Sequence, residues 1–187
     1  MSLMRKHRLN VVLTRMLDET EFLSNYGIRS LSKIHQNHPY TFTHAGETIG
    51  LHYEPGEGET RIYGGNSNWR GPIWMPVNFM IIDALRKFHL YHGDEFQIEC
   101  PKGSGKMLHL SQVADELSNR LQKLFLKDKD GKRISSSDSG GQNSTLGFSD
   151  LPMFHEYFHG DTGRGLGASH QTGWTGLIAL LLQQTLD

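Results

Sequence analysis

The sequence predicts an all-α fold, on three observations. Apolar residues recur at the helical period in separate stretches of the chain. Glycine, at 21 of 187 residues, exceeds the usual ~7% and points to long structured loops between regular elements. Helices buried on more than one side alternate with a helix that keeps one wet face, as in layered helical folds.

The first helix rests on Leu9, Val12, Leu13, Met16 and Leu17, which form one apolar stripe. FLSNYGIRSLS then breaks it. Between Tyr40 and Tyr63, alternation at Ile49, Leu51 and Tyr53 points to a small β hairpin or an irregular excursion and not to a helix. The second helix opens at Pro76, runs its stripe through Val77, Met80, Ile81, Ala84, Leu85 and Phe88, and stops at Gly93. Phe79 and Ile82 lie off that stripe, so burial on a second side is expected. The third helix is expected over 111–127, with Val113, Leu117, Leu121, Leu124 and Phe125 inward and Asp115, Glu116, Asn119, Arg120 and Lys123 outward. A polar linker follows over 128–144. The last helix is expected from Ser169, with Trp174, Leu177, Ile178 and Leu181 at helical spacing, and with Gly173 and Gly176 where another backbone could approach.

Composition excludes several classes of function. The length suits one domain with a real core. Lysine and arginine number 19 against 20 acidic residues, spread along the chain, so no basic face marks a nucleic-acid partner. A single cysteine, Cys100, excludes an internal disulfide and a thiolate zinc cluster. The longest strictly apolar run, Leu177 to Leu182, has six residues where a membrane span needs roughly 20. MSLMRKHRLN is basic with no apolar stretch behind it, unlike a signal peptide, and a cytoplasmic location is the expectation. Met4 after Met-Ser-Leu suggests that residues 1–3 are an expression scar before an internal fragment.

Four short patterns bear on chemistry. HEYFH, His155 to His159, matches the zinc-protease pattern H-E-x-x-H, which needs both histidines on one helix face. Pro152 upstream and Gly160 just after argue against such a helix. Thr162 and Gly165 stand where the metzincin extension wants glycine and histidine, and Asp161 and Asp187 are the sole later carboxylate side chains. No metal is expected there. CPKGSGKM has Cys100 and Met107 where a phosphate loop wants glycine and Ser/Thr, and reads as a turn. DKDG at Asp128 lacks the later ligands of a calcium loop. GNSNWRGPIW, Gly65 to Trp74, sets Trp69 beside Arg70 at the mouth of a buried helix. That pair suits a flat face for a sugar ring with a forked donor for its hydroxyls. Core rings and a helix-start arginine would explain the same residues, and both readings stand on the residues alone.

NYGIRSLS, GGNSNWRGPIWMPVNF and HEYFHGDTGRGLGASHQTGWTGL, in that order, resemble the C-terminal part of the catalytic barrel of glycoside hydrolase family 63, the processing α-glucosidases and their bacterial relatives. The resemblance implies a partial (α/α)6 toroid, about a third of its twelve helices, with residues 1–187 as one piece of a larger catalytic domain. It implies inverting hydrolysis of α-linked glucosides or small α-glycosides without a cofactor. Glu156 takes the place of the family's general base, and the acid Asp has no counterpart in the chain. Trp69, Arg70, Tyr157, His170, Gln171 and Trp174 become candidates for the sugar site, with Gly160, Gly163, Gly165 and Gly167 letting backbone approach the sugar. Arg29 reads as a loop tether. The expected partner is a carbohydrate. An incomplete ring would leave Val12, Leu13, Met16, Leu177 and Leu181 as a self-association face. The isolated chain is expected to be inactive, and the alternative is a non-catalytic helical carbohydrate-binding or structural domain.

Overall fold

Three helices carry the core in the computed structural model, which describes residues 4–58, 68–136 and 151–184. α1 (Lys6–Met16) turns Leu9 and Leu13 inward, and Leu17 behind it is fully buried, whereas Val12 stays about half exposed. α2 (Met75–His92) buries Met75, Asn78, Ile82 and Leu85. Its deepest face is therefore rotated from the expected stripe, and Met80 is 62% exposed. The second buried side is real, because Ile82 is sealed and Phe79 packs against the core. α3 (Leu110–Gln122) packs extensively against α2 and buries the expected stripe of Val113, Leu117 and Leu121, continued by Leu124 and Phe125. Each such leucine contributes ~1.5–3 kcal/mol on leaving water.

α3 ends earlier than predicted, at Gln122, where the next turn tightens through the Leu124 N–H to Leu121 and Phe125 N–H to Gln122 bonds. Arg120, expected on the wet face, is buried. Its guanidinium donates to the Ser24 carbonyl at 2.7 Å and to the carboxylates of Glu116 and Glu19 at 2.8 and 3.2 Å. The single last helix is two short ones, α4 (Thr172–Thr175) and α5 (Ile178–Gln183). The Thr175 hydroxyl is spent on the His155 carbonyl at 2.5 Å, which holds α4 to the preceding loop. At Gly176 a Cβ would stand 2.6 Å from the Thr172 carbonyl of its own chain segment, so this glycine packs against the preceding turn.

The fold is helix-rich, but all-α is too narrow. Among the described residues, four two-stranded antiparallel ribbons line the loops. They are β1 (Leu23–Ser24) with β2 (Gly27–Ile28), β3 (Tyr40–His44) with β4 (Glu47–Leu51), β5 (Gln97–Glu99) with β6 (Met107–His109), and β7 (Tyr157–Phe158) with β8 (Gly165–Leu166). Each lets a loop satisfy its backbone groups locally. β3–β4 is the hairpin read from the sequence, turning through Ala45 and Gly46 at φ 50° and 84°; residues 59–63 of that prediction lie outside the described part. CPKGSGKM turns between β5 and β6, as read from the sequence. In the linker, Asp128 Oδ1 accepts from the amides of Asp130 and Lys132 to make a turn; residues 137–144 lie outside the described part.

Leu9, Leu13, Leu17, Ile82, Leu117, Leu121, Ile178 and Leu181 share one core. Leu13 and Leu181 are thus interior residues, which removes them from the expected self-association face. No described helix is long and apolar enough to cross a membrane.

Candidate active site

The site is organised around Ile73, which is fully buried and links two loops that are distant in sequence. Its amide donates to the Phe158 carbonyl at 2.8 Å and its carbonyl accepts the Phe158 amide at 3.0 Å, while Arg29 bridges its other side. Asn78, one turn into α2, accepts the Ile28 amide at 2.7 Å and donates to the Ile28 and Trp74 carbonyls, both at 3.0 Å. The segments after β1–β2, before α2 and through β7 therefore meet as one unit.

On this unit stands an aromatic ladder. Trp74 is buried, with Trp69 stacked on one side at 4.0 Å and 1°, and Tyr157 stacked at 4.7 Å. Trp174 tilts against Trp74 at 5.3 Å. Trp69 is the outermost ring and is 42% exposed, so an indole held in place by Trp74 faces outward. Asn68 fixes this loop. It donates to the Glu54 and Gly56 carbonyls at 2.6 and 2.8 Å, accepts from the Arg70 amide at 2.9 Å, and its carbonyl receives the Trp74 indole N–H at 3.0 Å. Arg70 is buried, and its fork is engaged by Glu54 at 2.6 Å and by Asn68 Oδ1 at 3.2 Å. It supports the ladder from within the protein.

HEYFH is an extended segment running into β7, so the helix that an H-E-x-x-H zinc site requires is absent from it. The His155 ring packs under Gly165, where any Cβ would overlap it, and both ring nitrogens are buried without a hydrogen-bond partner among the described residues. Burial, with His170 nearby, pushes its pKa down. His159 Nδ1 instead accepts the Asp161 and Thr162 amides at 3.1 and 3.3 Å. Between them, half-buried Glu156 is clamped to the returning strand. Its amide donates to the Ala168 carbonyl at 2.8 Å, and its Oε2 accepts the Ala168 amide at 3.2 Å. Gly167, at φ 67°, makes this clamp possible, since a Cβ there would lie 2.7 Å from Glu156 Oε2. The loop glycines thus make room for protein groups: Gly160 sits on the Gly71 carbonyl and Tyr53, and Gly163 against Ile134 and Tyr26.

Asp161 ties the loop down. Arg29 Nη2 donates to its Oδ1 at 2.9 Å, Lys33 pairs with it at 3.2 Å and the Tyr53 hydroxyl donates at 3.1 Å. Arg29 also donates to the Leu23 carbonyl at 2.6 Å, so it is a tether, as expected. Burial alone would raise the Asp161 pKa, but the hydrogen bonds and charges of Arg29 and Lys33 outweigh it and hold the carboxyl below its ordinary value. The Tyr157 phenol is pushed up to about 12 by burial and by the charges of Glu57 and Glu156.

Trp69, Arg70, Tyr157 and Trp174 therefore belong to one cluster, with Glu156 beside it. His170 is exposed and pairs its backbone with Phe154, and the Gln171 amide donates to the Phe154 carbonyl at 2.7 Å. Asn68, Glu54, Tyr53, Asn78 and Asp161 escaped sequence reasoning. Only Asn68 had a local signal, as an Asx residue two positions before a turn.

Residues 1–175 match the mannosylglycerate hydrolase MGH1-like glycoside hydrolase domain, and the chain belongs to that family. An uncharacterized protein of Saccharomyces cerevisiae is 54% identical over 181 residues, covering 96% of this chain and 17% of its own length. The mannosyl-oligosaccharide glucosidase of the same yeast is 25% identical over 176 residues, covering 94% of this chain and 15% of its own length. The resemblance to glycoside hydrolase family 63 is borne out. The chain spans about one sixth of the length of these relatives.

Proposed function

We propose that the chain forms the base-bearing side of an inverting α-glycosidase site, within an (α/α)6 barrel completed by other parts of a longer protein. The observation that carries this is the Glu156 clamp. A half-buried carboxylate, fixed by Ala168 across Gly167, adjoins the Trp69–Trp74–Tyr157 ladder. Trp69 is the platform for a sugar face, because C–H groups of the ring pack on an indole that Trp74 keeps from turning. Tyr157 and Trp174 back the platform, His170 and Gln171 line the approach to Glu156, and Arg70 holds the Trp69 loop through Glu54 and Asn68.

In this reading Glu156 accepts a proton from a water that attacks the anomeric carbon opposite the leaving group. A carboxylic acid roughly 6.5–9.5 Å away protonates the glycosidic oxygen. The bond to the leaving oxygen breaks as the new C–O bond forms, and the anomeric centre inverts. The acid comes from outside this chain. The names of the family and its relatives favour a glucoside or mannoside as substrate. Proton NMR of a longer protein carrying this segment, acting on an α-glucoside, tests the stereochemistry. The β anomer should accumulate before mutarotation, and initial release of the α anomer would overturn the inverting assignment.

A further inference from the structure

Away from that site, His89, Asp94 and His109 each offer one ligand atom, and these atoms lie within 4.8 Å of one another. His89 is in the last turn of α2, Asp94 follows the Gly93 stop, and His109 is the N-cap of α3. His89 Nε2 stands 3.4 Å from Asp94 Oδ1, and the two imidazoles stack at 4.5 Å. Ligand atoms 2.0–2.1 Å from a tetrahedral ion stand roughly 3.3–3.4 Å apart, so this pair already has a coordination spacing. His89 Nδ1 is buried with no hydrogen-bond partner among the described residues, so no protein acceptor fixes the ring's tautomer.

We infer that His89, Asp94 and His109 form a binding site for a divalent transition ion of the zinc class, clamping the end of α2 to the start of α3. Two imidazoles and one carboxylate suit zinc, with a water in the fourth position. The clamp is coupled to the helix cap. His109 Nδ1 accepts the Gln112 amide at 3.3 Å, while Gln112 Oε1 accepts the His109 amide at 3.1 Å. If Nδ1 binds the ion, its lone pair is used. If Nε2 binds, the ring proton moves to Nδ1. In both cases the Gln112 amide loses its acceptor, and the 3.1 Å half of the capping box remains.

Titration of the whole chain with zinc chloride, followed by calorimetry and amide NMR, tests this against the other nine of its 11 histidines. One equivalent should bind with the Gln112 amide among the resonances that move. Affinity should fall at least about tenfold in His89→Ala and in His109→Asn. The latter keeps a good N-cap while removing the imidazole. Asp94 is 84% exposed, so Asp94→Asn leaves the fold intact and should also weaken binding. Unchanged affinity in His109→Asn or Asp94→Asn, an unmoved Gln112 amide on saturation, or no zinc binding overturns the inference.

Discussion

Gly165 and Gly167 are required for different physical reasons, and their alanine variants should differ accordingly. At Gly165 a Cβ overlaps the buried His155 ring, so Gly165→Ala must displace strand or ring. Such overpacking costs about 1–3 kcal/mol, seen as a lower denaturation midpoint. At Gly167 the left-handed φ adds about 1–2 kcal/mol of strain, and the Cβ meets Glu156 Oε2. Gly167→Ala should therefore also lower turnover of a longer active protein, whereas a variant with full turnover would separate the clamp from catalysis. Asn78→Ala leaves the buried Ile28 amide and carbonyl without partners and should cost about 1–3 kcal/mol in chemical unfolding. Arg29 was legible as a tether because it stands in a short local motif. The engagement of Arg70 by Glu54 was not, because the two residues are distant in sequence and no local period encodes their pairing.

The Glu156 loop is an acid-sensitive element. The pKa of His155 is lowered by burial, so its neutral form contributes stability that is complete above the unfolded value near 6.5 and is lost as pH falls through the lower folded value. His159, also lowered by burial, acts in the same direction. The contribution of Asp161 persists above the ordinary carboxylate value of about 3.9 and is lost only as pH falls further, through its depressed folded value. Thermal midpoints should thus decline from about pH 7 toward 5 and fall again in stronger acid. His155→Leu should flatten the first decline, and an unaltered profile in that variant would contradict this origin. At this scale the α3 stripe was readable because one clean helix face is buried. The ribbons were not, since a two-residue strand is too short to show alternation. The final helix was overextended because apolar helical spacing persists across the break near Gly176, where the backbone tightens into the Ala179-to-Gly176 and Leu180-to-Leu177 bonds.

At the scale of the whole molecule, the fold holds the base side of the proposed site through packing that α1, α2 and α3 provide themselves. In the proposed reading the general acid lies outside this chain, which spans about one sixth of the length of the relatives. Residues 1–187 alone should therefore not hydrolyse an aryl α-glucoside, and measurable release of the aryl group would disprove the need for an outside acid. Family membership was legible in three motifs because they carry the knot at Ile73 and the ladder. The placement of the loop on Asp161 required the folded chain. The role of Glu156 is the central claim, and the direct measurement is steady-state turnover of a longer active protein with Glu156→Gln. The amide preserves size and the Ala168 contact but cannot take the water's proton, so kcat should drop roughly 10²–10⁴-fold with substrate binding retained. A kcat within a few fold of the unaltered protein would contradict the account.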